Sequence, residues 1–326
     1  MKKLKVAPFG TTKEGKEVLC YTLENDAGLQ VRILNYGMRI QSIWMKDCKG
    51  QLRNLAWGFT GMKRYEGGGC YGALVGRFAN RIKNAQYTLD GKSVQLKVND
   101  HGNYIHGNFE HSFFEINADD SCITGTYLSP DGEFGFPGNL TLKASYSLSE
   151  EGELSLNYEA TTDAPTVVNI TNHNYFNLDG MPEDGDSVTA DEVNIYKHSL
   201  QVAASDYLES DPVCMVTGKV IPVEGNAFDF RSLREIGTFK YDHNYCLDAY
   251  DGSLRFAALL QAAESGIAME CRTTQPGIQV YTGGKKAIAL ETQHFPDGPN
   301  HPEWASAALF PGETYRETTV YRFFLK

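Results

Sequence analysis

Short stretches of alternating apolar and polar residues recur along this chain roughly every ten residues, most of them cut off by glycine, asparagine or aspartate. Residues 18–23, 29–33 and 38–45 are the first three, punctuated by Asn35-Tyr36-Gly37 and Lys49-Gly50. Successive strand residues point to opposite faces, so each stretch reads as a half-buried strand. Strands this short and this closely spaced leave no room for intervening helices, and long amphipathic helical patterns are nearly absent. The pattern predicts an all-β sandwich or barrel, and the 32 glycines spread through the chain agree with it.

The same reading extends down the chain. Residues 84–98 form a hairpin turning at Asp90-Gly91. Residues 123–127, 140–148, 154–159 and 278–281 are strands, with loops at 129–138 and 179–186. Residues 206–225 show few periodic features, and 227–236 is expected to include a helical turn. The run LRFAALLQAAE (254–264) has helix propensity, yet the Glu264-Ser265-Gly266 turn and the alternating 267–272 favour a hairpin. Residues 287–290 run as a strand into Glu291, and 315–325 closes a sheet. With no repeat, low-complexity tract or linker, residues 1–326 read as one domain.

Charge narrows the partners. Thirty basic against 41 acidic residues give a net charge of −11, and no basic run is long. Phosphate neutralisation needs clustered Lys and Arg, so nucleic acid and anionic membrane surfaces are disfavoured and a neutral small molecule is favoured. The seven cysteines are scattered without a C-x-x-C pair, which speaks against a disulfide framework or zinc site and for a reducing compartment. No signal-peptide core or membrane-length apolar run is present, and a cytoplasmic location is expected. Gly91-Lys92-Ser93 resembles the end of a phosphate loop, but Gln86 stands where that motif needs glycine. No metal or cofactor is expected.

Residues 166–178, TVVNITNHNYFNL, carry the densest polar chemistry. In an extended chain Val168, Ile170, Phe176 and Leu178 face one way, and Asn169, Thr171, His173 and Tyr175 the other. A lone histidine is most often a structural one. Here it stands among asparagines and a tyrosine, a composition suited to hydroxyl-rich ligands. The segment GALVGRFANRI (72–82) places Arg77 and Arg81 in apolar surroundings, where each needs an internal carboxylate or a ligand as partner.

Seven motifs then arrive in order: GRFANRI (76–82), YIHG (104–107), SPDGEFGFPG (129–138), TNHNYFNL (171–178), YDHNY (241–245), QPGIQVYTG (275–283) and LETQHFPDGPNHP (290–302). Together they resemble the motif series of the aldose 1-epimerases, or galactose mutarotases. The resemblance implies a large antiparallel β-sandwich of the galactose mutarotase-like supersandwich type, with few short helices and a cleft on one sheet. It implies interconversion of the α and β anomers of free aldohexoses such as glucose and galactose, with Glu291 as general base and His173 as general acid. It places Asn80, Arg81, His106, Asp242 and Gln279 on the sugar hydroxyls, with Tyr175 and Asn174 as further cleft residues. For this chemistry we expect an ionised Glu291 and a protonated His173, with Asp242 raising the histidine pKa.

The sequence departs from the family after His106, where Gly107 leads into Asn108-Phe109-Glu110, and in the brief connection from Tyr281 to Ile288. Both changes bear on substrate preference. Competing readings are an epimerase for a phosphorylated sugar, a non-catalytic carbohydrate-binding protein, and a glycosidase using Asp242 and Glu291. Few cations near Arg77, Arg81 and Lys83 weigh against the first, and three scattered tryptophans against the second.

Overall fold

Two antiparallel sheets face each other across one apolar core in a computed structural model that describes residues 2–326. The larger has eleven strands. Lys5–Thr11, Glu17–Glu24, Gln30–Leu34, Arg39–Lys46 and Leu52–Ala56 follow one another as a meander. Tyr175–Met181, Ile288–Gln293, Gly277–Tyr281 and Asp242–Cys246 come next, and the hairpin Asp206–Ser210/Val216–Pro222 forms the far edge. The nine-stranded sheet runs from Glu115–Ala118 through Cys122–Ser129, Leu140–Leu148 and Glu153–Thr162 to Tyr315–Leu325. It continues with Ile267–Thr273, Arg255–Gln261, Ser199–Val202 and Arg234–Glu235.

Alternation explains the layering. In LTLKASYSL (Leu140–Leu148), Leu140, Leu142, Ala144, Tyr146 and Leu148 are buried and their neighbours are not. Opposite them, Val31, Ile33, Phe176, Ile278, Val280, Ile288 and Leu290 fill the core from the larger sheet. Each such side chain contributes roughly 1.5–3 kcal/mol by leaving water. The other face of the larger sheet is covered by chain between its fifth strand and residue 114. That chain holds the five-residue helix Met62–Glu66 and the short pairs Leu74–Val75 and Arg81–Ile82. Among the described residues no helix is long and apolar enough to cross a membrane.

Several expectations hold. The 84–98 hairpin pairs Leu89 with Lys92, and 254–264 is a strand hairpinned to Ile267–Thr273. Others are corrected. Residues 166–178 are not one strand but three fragments in three pairings: Thr166–Val167 with Ala308–Leu309, Thr171–Asn172 with Leu74–Val75, and Tyr175–Met181 in the large sheet. Asparagine side chains break it up by serving as backbone partners. Asn169 donates to the carbonyls of Ala79 and His294 and accepts from His294 N–H, while Asn172 donates to Gly72 O.

Residues 206–225 form a hairpin whose register slips between Leu208 and Ser210, which hides its alternation. No helical turn forms in 227–236, where only Arg234–Glu235 is regular. The loop at 179–186 starts later than expected, because the strand before it runs on to Met181. Tyr315–Leu325 lies between Glu153–Thr162 and Ile267–Thr273, in the middle of its sheet rather than at its edge.

Candidate active site

Alternation that buries Ile288 and Leu290 in the core turns Ala289 and Glu291 to the opposite face. Gln279 is the direct cross-strand partner of Glu291, Tyr281 pairs with Asp242, and Tyr175 with Ala289. Four adjacent strands therefore lay carboxylates, an amide and phenols on one floor. His173 sits just before the Tyr175 strand. Its backbone is bracketed by Gly72 N–H, which donates to His173 O (2.9 Å), and by Ala73 O, which accepts from His173 N–H (2.8 Å). A Cβ on Gly72 would lie 2.1 Å from the Ile40 carbonyl oxygen, so only glycine fits this crossing.

The roof comes from two touching loops. Asn80 and His106 both adopt left-handed backbone, with φ of 64° and 60°. Asn80 N–H donates to His106 Nδ1 (3.1 Å), and His106 N–H donates to Asn80 O (3.2 Å). Arg81 beside them pairs with Asp100 at 2.7 Å. Floor and roof enclose a cavity of about 240 Å³. It is lined by Asn80, Arg81, His106, His173, Tyr175, Asp242, Gln279 and Glu291, together with Gly69, Cys70, Ile105 and Tyr281.

His173 Nε2 and Glu291 Oε1 stand 3.4 Å apart, both side chains buried. Burial, then the Asp242 charge, pushes the Glu291 carboxyl well above its usual range, with Arg81 opposing. Burial drives the His173 imidazole down to about 4, its own backbone contact opposing and Arg39 adding to the fall. Both directions run against the expected ionised Glu291 and protonated His173. Burial favours the neutral form of each group. Asp242 acts on Glu291 rather than on the histidine. It also accepts from Gln279 Nε2 at 2.7 Å, leaving Gln279 Oε1 buried and without a partner.

His106, His173 and Glu291 offer side-chain atoms within 4.8 Å of one another, the residue types of a transition-metal site. Their hydrogen bonds do not suit one. His106 Nδ1 already accepts from a backbone N–H, so its proton stays on Nε2 and no lone pair faces the cavity. The same lock makes His106 a fixed donor into the pocket.

Asn174 does not line the cavity. It is buried away from the pocket, with neither amide atom partnered. Arg77 is also absent from the lining, and it meets neither expected partner. Its guanidinium donates to Ser129 Oγ and to the carbonyls of Ser129, Pro130, Pro137 and Gly138, tying the 129–138 loop to the core. Of the lining residues not singled out from the sequence, Tyr281 lay within the QPGIQVYTG motif, whereas Cys70 carried no signal.

The model of the aldose 1-epimerase family matches residues 19–322. Galactose mutarotase from Mus musculus is 37% identical to this chain, the match covering 95% of both. Aldose 1-epimerase from Escherichia coli K12 is 33% identical, over 95% of this chain and 96% of that protein. Among solved structures, galactose 1-epimerase from Lactobacillus acidophilus NCFM superposes with a TM-score of 0.84 at 27% identity, covering 100% of this chain and 99% of that one. A GalM/aldose epimerase homologue from C. elegans gives 0.85 at 25% identity, covering 93% and 98%. The chain belongs to the aldose 1-epimerase family, and it is an epimerase.

Proposed function

We propose that the protein interconverts the α and β anomers of free aldohexoses such as glucose and galactose, with Glu291 and His173 as its proton-transfer pair. The observation that carries this reading is their 3.4 Å contact on the cavity floor. The anomeric hydroxyl and the ring oxygen are bonded to the same carbon, so the groups that serve them must themselves be neighbours.

In ring opening, ionised Glu291 takes the proton of the C1 hydroxyl and the C1 carbonyl forms. The C1–O5 bond breaks, its electron pair goes to O5, and His173 supplies the proton there. Rotation about C1–C2 presents the other face of the aldehyde. Closure is the reverse: O5 attacks, His173 removes its proton, and Glu291 returns one to the carbonyl oxygen. The pair holds a single proton throughout. The arrangement favoured by burial, protonated Glu291 beside neutral His173, is the one the cycle reaches with the ring open. A cyclic sugar meets the reactive arrangement once that proton has crossed to the imidazole.

The remaining lining residues suit hydroxyl recognition. Arg81 and His106 Nε2–H donate, Asp242 and Gln279 Oε1 accept, and Tyr175 and Tyr281 offer ring faces and phenol groups. Positioned proton transfers of this kind contribute roughly 10²–10⁴-fold each. Polarimetry on freshly dissolved α-glucose and α-galactose tests the reading. Rapid loss of excess rotation by wild type and buffer-level rates for Glu291→Gln and His173→Asn are expected. Wild-type rates in both variants would end it.

A further inference from the structure

Behind the proton-transfer pair stands a fully buried arginine that the mechanism above does not use. Arg39 is 0% exposed. Its Nη1 donates to the Tyr71 carbonyl at 2.7 Å, its Nη2 donates to the Glu110 carbonyl at 2.8 Å, and its Nε has no partner. The guanidinium carbon lies 4.6 Å from the centre of the Tyr65 ring. Peptide dipoles and one aromatic face are modest company for a buried charge, and an apolar side chain of similar length would fill the space without the desolvation penalty.

The position of those bonds matters. Arg39 grips Tyr71, and the next residue, Ile40, donates its N–H to Gly72 O. Gly72 and Ala73 are the residues that bracket the His173 backbone. Two consecutive residues of one strand therefore hold the two-residue clasp on the histidine. Resting on the reading of His173 as acid, we propose that Arg39 is a positioning residue for that histidine, fixing the 71–73 clasp that holds its backbone.

The titratable groups around the guanidinium are Tyr36, Tyr65, Cys70 and Glu110. From the other side His173 meets Glu291, His106, Tyr175 and Tyr281. The Arg39 charge helps to hold the imidazole neutral.

Two variants separate the fork from the charge. Lysine keeps the charge but cannot span both carbonyls. For Arg39→Lys we expect kcat to fall about tenfold with KM within twofold of wild type, and the acid limb of the kcat–pH profile to stay in place. For Arg39→Gln, which loses the fork and the charge together, we expect a similar loss with KM again near wild type. A folded Arg39→Gln with wild-type kcat overturns the proposal. If Arg39→Gln does not fold, Arg39→Lys decides, and unchanged kcat there overturns the proposal. His173→Asn is run alongside. Full activity there sinks the assignment of the acid, whereas an inactive His173→Asn with unaffected Arg39 variants sinks this proposal alone.

Discussion

Gln279 and Glu291 are direct cross-strand partners, so the side chain that grips Asp242 and the side chain proposed to take the anomeric proton rise from the sheet shoulder to shoulder. Asp242 acts on Glu291 through charge, and it holds the amide of the residue paired with Glu291 across the strands. Four expectations rest on such relationships.

Asp242→Asn removes the negative charge that helps to raise the Glu291 pKa. The alkaline limb of the kcat–pH profile is therefore expected to move down by about one pH unit, with KM rising as an amide replaces the carboxylate acceptor on the cavity wall. An alkaline limb that stays put, measured by polarimetry across pH 5–10, contradicts this.

Glu291→Gln is expected to lower kcat by roughly 10²–10⁴-fold while raising stability at neutral and alkaline pH. The folded-state pKa of this carboxyl lies above its unfolded value of 4.5. Its contribution is therefore intact below 4.5 and is lost as pH rises toward the folded value. The variant escapes that loss, so the Tm difference between it and wild type should widen from pH 5 to 8. A constant difference counts against the assignment.

His198 is fully buried, and its Nε2 accepts from Leu178 N–H at 3.0 Å. Burial holds its pKa at about 4, below an ordinary 6.5, despite Asp179. A depressed histidine favours the fold above 6.5 and loses that advantage as pH falls toward 4, here by up to about 3 kcal/mol. His198→Leu should cost roughly 1–3 kcal/mol at pH 7 by orphaning the Leu178 amide. Its deficit should shrink by pH 5, as read from urea midpoints at the two pH values.

Arg77→Lys should destabilise by about 3 kcal/mol, because an ammonium cannot reach the spread of carbonyls that the guanidinium holds. Activity per folded molecule should remain near wild type, since Arg77 is outside the cavity. A large kcat loss in properly folded protein would show that the loop it anchors reaches the chemistry.

Period-two alternation was enough to place strands wherever one face meets the core and the other water, as in Leu140–Leu148. It failed in 166–178, where all thirteen residues are buried and asparagine amides stand in for ladder partners. It failed again in 206–225, where a register slip at an edge removes the regular spacing. The motifs brought Arg81, His106, His173, Asp242, Gln279 and Glu291 into one candidate site, and the cavity collects all six.

Other features were invisible for physical reasons. Asn174 follows the histidine in sequence yet is absent from the cavity lining, because residues 173–174 are irregular chain between two strand fragments rather than part of an alternating ladder. The proton distribution between Glu291 and His173 depends on burial supplied by elements far away in the chain, which no local pattern encodes. Arg39 sits in an unremarkable strand, and only the three-dimensional crossing with Gly72 gives it a role.

Placing Tyr315–Leu325 in the middle of the nine-stranded sheet has a consequence for biosynthesis. Until those residues leave the ribosome, Glu153–Thr162 and Ile267–Thr273 each expose an unpaired edge with a buried-type face, open to intermolecular pairing. The nascent chain must keep this gap from being filled by a neighbour. A stop codon just before Tyr315 would leave two sticky half-sheets, prone to inclusion bodies, in place of a shortened enzyme.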